Sequence, residues 1–288
     1  MTEMNGKVCI VTGSNSGIGK ETALALANMG ATVVMVVRSP ERGEKARAEI
    51  VKKTGNAATA LMICDLSSTD LIRQFTKEFK NKYDRLDVLI NNAGVVLSKR
   101  QTTVDGFERT LAVNYLGLFL LTYELLPMLK SSAPSKVINV GSGTHRSGKI
   151  DFDDLQSERH YNGLSAYANS KLMVTMYTYE LAKRLEATGV RVNVVEPGFV
   201  ATNLGRNSGS PLYAVAYSLM RPFQINAKNG AETSVYLASA HEVEGITGKC
   251  FSKLHEITTA KISYDQQIQR RLWDTTLELL GLPPTPQS

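Results

Sequence analysis

The chain has 288 residues, 43% of them hydrophobic and 21% charged, an ordinary balance for a soluble globular protein that can bury a sizeable core. Its net charge of +6 is scattered over helix-surface groups such as Lys45/Arg47 and Lys52/Lys53, without the basic stripe and interleaved aromatics that would mark a nucleic-acid partner. Cys9, Cys64 and Cys250 lie far apart without metal-ligand spacing, so no metal is expected and buried free thiols in a reducing compartment are predicted.

The first predicted element is a strand, Lys7–Thr12, and the amino terminus reaches it with no room for a signal-peptide core. A helix over Gly17–Met29 follows, then a strand over Thr32–Val37 and a helix over Pro40–Lys53 with proline at an early helical position. A strand at Thr59–Ile63 leads to a helix over Ser68–Lys82, for which Ser67 and Ser68 supply an N-cap region. Next come a strand at Leu86–Ile90, a long helical stretch over Thr103–Lys130 and a strand at Lys136–Val140. A helix over Gly163–Ala187, a strand at Arg191–Val195, a helix over Lys228–Ser239 and a strand near Lys249–Ser252 complete the alternation.

Strand runs such as Thr32–Val37 are apolar almost throughout rather than alternating, as parallel strands covered on both faces are. The expected fold is a single α/β domain: a doubly wound, Rossmann-type sheet of about seven mainly parallel strands with helices on both faces. Its core spans about residues 5–255, with an extra amphipathic helix over Tyr264–Leu280 in an extension at 256–282 and a frayed tail at 283–288. The longest apolar stretch, Leu116 to Leu129, is broken by Thr122, Tyr123 and Glu124 and falls short of the roughly 20 residues that cross a bilayer. A cytoplasmic location is therefore expected, with contact to an anionic membrane surface left open.

Three glycines punctuate the turn after the first strand, which reads Gly13, Ser14, Asn15, Ser16, Gly17, Ile18, Gly19 and opens a helix. Glycines there allow a tight turn and let the backbone approach a diphosphate, which the helix N-terminus stabilises. An ordinary βα turn has the same look. The second strand ends at Val37 with Arg38 rather than an acid. An arginine fork suits a ribose 2′-phosphate, with Lys20 or Arg42 able to assist, so NADP(H) is expected in preference to NAD(H). A solvated loop arginine is the plainer alternative.

Further along, Tyr167 and Lys171 stand four apart on a predicted helix, and so on one face. A cation beside a phenol favours the phenolate, which draws a group that titrates near ~10 toward neutrality and makes it a proton donor and acceptor for an alcohol or carbonyl. Ser142 follows the strand Lys136–Val140, at the sheet edge where ligands of open α/β folds bind. Asn91, Asn92, Ala93 and Gly94 follow another strand in the same way, and Asn114 lies in an apolar helical stretch. Taken singly, Ser142 could be a helix cap, Asn114 a structural amide and Thr202 a turn residue.

With these motifs, and with Cys64-Asp65-Leu66 and the segment Pro197 to Thr202, the chain resembles the short-chain dehydrogenase/reductase family over nearly its whole length. Val113–Thr122, Gly148–Leu155, the long spacing from Ser142 to Tyr167 and Arg270–Trp273 resemble its retinol dehydrogenase-like branch, whose usual serine before Ser142 is replaced by Gly141. The resemblance implies that Tyr167 is the acid/base, that Lys171 lowers its pKa and holds the nicotinamide ribose, that Ser142 orients the substrate oxygen and that Asn114 holds a relay water. It further implies that Asp65 and Leu66 meet the adenine, that Asn92, Ala93 and Gly94 flank the adenosine, and that Pro197, Gly198, Val200 and Thr202 border the carboxamide. Self-association through the long helices is common in that family.

The expected activity is NADP(H)-dependent interconversion of a lipophilic alcohol with its aldehyde or ketone, retinal included. The alternatives are a reductase of steroid or other small carbonyls, or a catalytically idle NADP-binding redox sensor. An apolar cluster at Leu204, Leu212, Tyr213, Tyr217, Leu219, Met220 and Phe223 would form a lid, a membrane contact or plain packing.

Overall fold

The structure, a computed structural model, describes residues 3–198 and 226–283. Its sheet is assembled from β1 (Val8–Thr12), β2 (Thr32–Val37), β3 (Thr59–Ile63), β4 (Val88–Asn91), β5 (Ser135–Val140), β6 (Val190–Val195), β7 (Cys250–Ser252) and β8 (His255–Ile257), in the order β3-β2-β1-β4-β5-β6-β7-β8. The first seven run parallel, and β8 returns antiparallel along β7. Helices α1 (Gly17–Asn28), α2 (Pro40–Thr54), α3 (Thr69–Lys82), α4 (Arg109–Ser131), α5 (Gly163–Arg184), α6 (Ala227–Ser239) and α7 (Gln266–Leu280) cover it.

Alternate residues of each strand point to opposite faces. Along β1, Val8 and Ile10 join the core under α3, α4, α5 and α7, while Cys9 and Val11 join the core under α1, α2 and α6. Both faces of the strand are thus dry, which is why its sequence shows no polar alternation. The order reverses between β1 and β4, where the connections depart to opposite sides and leave a crevice at the carboxyl edge. This is a Rossmann-type α/β fold, as the alternation of elements predicts.

Two expectations shift. The predicted helix from Thr103 begins only at Arg109, because Thr103–Phe107 closes a turn in which Thr103 N–H donates to Phe107 O at 2.8 Å. Glu108 then caps α4, its carboxylate accepting from the N–H groups of Thr110 (2.8 Å) and Leu111 (2.7 Å). The eighth strand went unpredicted because its hairpin turns through Lys253 and Leu254, at φ 49° and 69°, with no Gly or Asn to signal it.

Helix α7 lays Leu272, Trp273, Leu277 and Leu280 onto the long helices α4 and α5. The Trp273 ring lies 4.8 Å from Phe119 and 5.8 Å from Tyr177, and Tyr115 and Thr276 share a hydroxyl hydrogen bond of 2.8 Å. Each such buried apolar side chain contributes about 1.5–3 kcal/mol. Among the described residues α4 is long and apolar enough to cross a membrane, but 78% of its most apolar window is buried inside the fold.

Candidate active site

The ends of β1, β2 and β3 form one edge. Gly13 N–H donates to Val36 O and Cys64 N–H to Val37 O, at 2.8 and 2.9 Å, so Gly13, Arg38 and Asp65 leave neighbouring strands side by side. The turn after β1 is locked to the turn after β4. Thr12 Oγ1 accepts from Asn92 N–H (2.9 Å) and Ala93 N–H (3.0 Å), and the Asn92 amide donates to Thr12 O (2.8 Å). A Cβ on Gly13, whose φ is +66°, would lie 2.9 Å from Ala93 Cα, and one on Gly19 would overlap the Asn92 amide. Gly13 is therefore dictated by the close approach of two backbones, and Gly19 by the Asn92 amide and the Gly13 carbonyl.

This turn fits a dinucleotide diphosphate. Ser16 stands at the N-cap of α1 without a side-chain cap, and the first turn of α1 carries no acid. The Ser14 hydroxyl is fully buried and has no hydrogen-bond partner, an unusual expense for a polar group. Asn15, Gly17 and Ile18 complete the loop, half-buried. Arg38 is exposed and makes no ion pair among the described residues. Lys20, by contrast, is held by Glu49 of α2, which removes it as an unengaged partner for a phosphate. Asp65 Oδ1 accepts from the Ser67 N–H and hydroxyl at 3.0 and 2.8 Å, and the Leu66 side chain is packed into the core.

At the other side of the crevice, burial concentrates polar groups. Lys171 is 4% exposed, its Nζ donates to Val140 O at 2.7 Å, and it lies 5.7 Å from the centre of the half-buried Tyr167 ring. Desolvation pushes the Lys171 ammonium down to about 8. Gly94 flanks the same spot: a Cβ there would sit 3.8 Å from Lys171 Nζ and 3.4 Å from Asn114 Oδ1.

Asn114 occupies a π turn, Ala112–Leu116, in which Gly117 N–H reaches back five residues to Ala112 O. Both of its amide protons are committed. Oδ1 accepts from Val95 N–H (2.7 Å), while Nδ2 donates to Val95 O and Ser170 Oγ (3.0 Å each). Ser170 Oγ in turn donates to Tyr167 O at 2.7 Å, so Asn114 is tied to the turn of α5 that carries Tyr167 and Lys171.

Ser142 stands two residues beyond Val140 at the end of β5. Its Oγ accepts from the N–H and hydroxyl of Thr144, at 3.3 and 3.0 Å, and its own proton stays available to a ligand. Gly141 is a steric requirement here, since a Cβ would sit 2.9 Å from Val194 Cγ2. Pro197 and Gly198 leave the end of β6 beside this turn, with Val140 and Val195 paired. Val200, Thr202 and the apolar cluster from Leu204 to Phe223 lie outside the described residues.

Sequence reading missed the side chains behind Ser142, namely His145, Arg146 and Glu196. A glutamate directly before the Pro197-Gly198 bend, in a strand otherwise apolar from Val194, is the one available signal.

Comparisons with known proteins show the same family and fold. Residues 7–212 match the model of the short chain dehydrogenase family. Retinol dehydrogenase 12 of Homo sapiens is 44% identical over 280 residues, covering 97% of this chain and 88% of that protein. The crystal structure of an uncharacterized protein from Mycobacterium paratuberculosis superposes with a TM-score of 0.79 at 29% identity, covering 99% of this chain and 97% of the other. The RhlG/NADP active-site complex of Pseudomonas aeruginosa gives 0.70 at 26% identity, covering 87% and 95%.

Proposed function

The chain belongs to the short-chain dehydrogenase/reductase family and is an oxidoreductase acting on alcohols, and from that premise we propose that it uses NADP(H) to interconvert a lipophilic alcohol with its aldehyde or ketone. The observation that carries the assignment is the buried cation of Lys171 beside the Tyr167 ring, 5.7 Å from its centre. A bound nicotinamide supplies or accepts the hydride. Everything else falls to residues of this chain.

The turn Gly13–Gly19 and the N-terminus of α1 bind the diphosphate, and Arg38 takes the 2′-phosphate with Arg42 nearby. Asp65 and the backbone at Leu66 meet the adenine, Asn92, Ala93 and Gly94 flank the adenosine, and Lys171 holds the nicotinamide ribose. Pro197 and Gly198, and by the family resemblance Val200 and Thr202, would border the carboxamide. In reduction, Tyr167 Oη donates a proton to the carbonyl oxygen, and in oxidation it removes the proton of the alcohol. The Lys171 ammonium favours the phenolate. Ser142 Oγ donates a hydrogen bond to the same substrate oxygen and stabilises charge that develops there. Asn114 holds the α5 turn through Ser170, and a water between Asn114 and Lys171 carries the proton onward to solvent.

A lipophilic substrate is supported by the apolar cluster after Thr202 and by the retinol dehydrogenase relative. A cytoplasmic location, with or without contact to a membrane surface, accords with three buried free thiols. The test is cofactor oxidation measured with NADPH and NADH against retinal, steroid ketones, medium-chain aldehydes and small diketones. Turnover of retinal or another long apolar carbonyl with NADPH is expected. Turnover confined to small diketones, or faster with NADH, would overturn the reading.

A further inference from the structure

Three segments remote in sequence meet behind Ser142: the turn Gly143–Ser147, the end of β6 at Glu196, and the chain at Thr258–Ala260 beyond β8. His145 is their common point and is 1% exposed. Its Nδ1 lies 2.8 Å from Ser142 O and 3.2 Å from Glu196 Oε1, and its Nε2 lies 3.1 Å from Ala260 N.

A ring nitrogen that accepts from a backbone N–H carries no proton. The imidazole proton is therefore on Nδ1, where it faces the Ser142 carbonyl, and the two bonds together fix the tautomer. Burial also pushes the imidazole down from its ordinary range, against the pull of Glu196. Glu196 is held by both its oxygens to Arg146 Nη1 (2.9 and 2.8 Å), and Arg146 Nη2 donates to Thr258 O (2.8 Å). Cys250 Sγ packs 3.8 Å from Glu196 Oε1.

We propose that His145 is a positioning residue for the reaction: by donating from Nδ1 to the Ser142 carbonyl, against the support of Glu196 and Arg146, it holds the Ser142 peptide in the orientation that presents Oγ to the substrate oxygen. This rests on the reading of Ser142 as the donor to that oxygen. The Ser142 hydroxyl sits on an otherwise exposed turn (Gly143 and Thr144 are both exposed), and the His145 bond is a side-chain tie from beneath. Misplacing a reacting group by about 1 Å costs on the order of 100-fold in rate.

The experiment is a double-mutant cycle with two partial replacements, read as kcat with saturating NADPH and as NADPH affinity by fluorescence. Ser142→Ala lowers kcat if Ser142 is the donor, and an unchanged kcat would sink that reading alone. His145→Phe keeps the ring volume, and is expected to lower kcat roughly 30- to 100-fold while NADPH affinity stays within about 3-fold. The double variant is expected to be no slower than Ser142→Ala alone, because His145 acts only through Ser142. Multiplicative losses would overturn the proposal, as would an active His145→Phe beside an impaired Ser142→Ala.

Should His145→Phe not fold, His145→Asn and His145→Gln decide the matter. Asn places an amide N–H where Nδ1 stands and is expected to restore most of kcat, whereas Gln reaches only the Ala260 side and is expected to stay slow. Rescue by Gln and not by Asn would assign His145 to holding Ala260, a structural role, and overturn the proposal.

Discussion

The two sides of the crevice are built by different means. At the turns after β1 and β4 main chain is brought to main chain through short polar side chains: the Thr12 hydroxyl accepts from the N–H groups of Asn92 and Ala93, glycines make room, and Arg38 stands solvent-exposed. Around Lys171 the contacts are side chains, buried and hydrogen-bonded, with Asn114 spending both amide protons and Lys171 held in a dry site. A site made of main chain recognises a shape and a charge, and it tolerates outlying substitutions by losing affinity. A site made of desolvated titratable groups fixes protonation states, and there a substitution changes rate and stability together.

The largest expected effect falls on the buried side. Tyr167→Phe leaves the ring and its packing but no proton to transfer, so turnover should fall by at least about 10³-fold, while NADPH affinity measured by fluorescence stays within a few-fold. Retained turnover would remove Tyr167 from the chemistry.

Lys171→Met ranks second in rate, with an expected loss on the order of 100-fold, and it carries a stability signature of opposite sign. The folded Lys171 titrates at about 8 against an ordinary 10.5, so between those values the unfolded chain holds the extra proton, and wild-type stability rises with pH across that window. Below pH 8 the full penalty is present, about 3 kcal/mol at ~1.36 kcal/mol per pH unit. Losing the bond to Val140 O returns about 1 kcal/mol. The ligand-free variant should therefore be about 2 kcal/mol more stable than wild type at pH 7 by chemical denaturation, and this advantage should vanish toward pH 10.5. A variant less stable at pH 7 would contradict a desolvated lysine.

The smallest effect should come from the exposed side. Arg38→Asp removes a charge-assisted fork worth about 1.5–3 kcal/mol, so kcat/KM with NADPH should drop roughly 10- to 100-fold, with kcat on NADH intact or improved. An unchanged NADPH/NADH ratio would return Arg38 to an ordinary loop residue.

How much of this could be read beforehand follows the same division. Strands β1, β2 and β4 are legible because both faces of each are covered, which writes a nearly continuous apolar run into the sequence. Strand β2 at Thr32–Val37 and β3 at Thr59–Ile63 match to the residue. Strand β8 is illegible because its residues are largely exposed and its turn lacks a glycine. Gly13 to Gly19, Asn114, Ser142, Tyr167 and Lys171 are legible as motifs. What each one touches is not, because those contacts join residues far apart in sequence. Asn114 reaches Ser170 across 56 positions, and Ala260 reaches His145 across 115. Local pattern carries no trace of such pairs, and Lys20, a plausible phosphate partner by position, turns out to be spent on Glu49.

The docking of α7 also has a meaning for the life of the chain. Phe119 and Tyr177 belong to helices synthesised long before Trp273, so a nascent chain that already holds its sheet still displays an aromatic face until α7 emerges and covers it. A message cut short before Gln266 would yield a product with every strand in place and a sticky flank. Such a molecule is the kind that chaperones retain and proteases clear, which makes the helix at Gln266–Leu280 a checkpoint for completeness as well as a piece of packing.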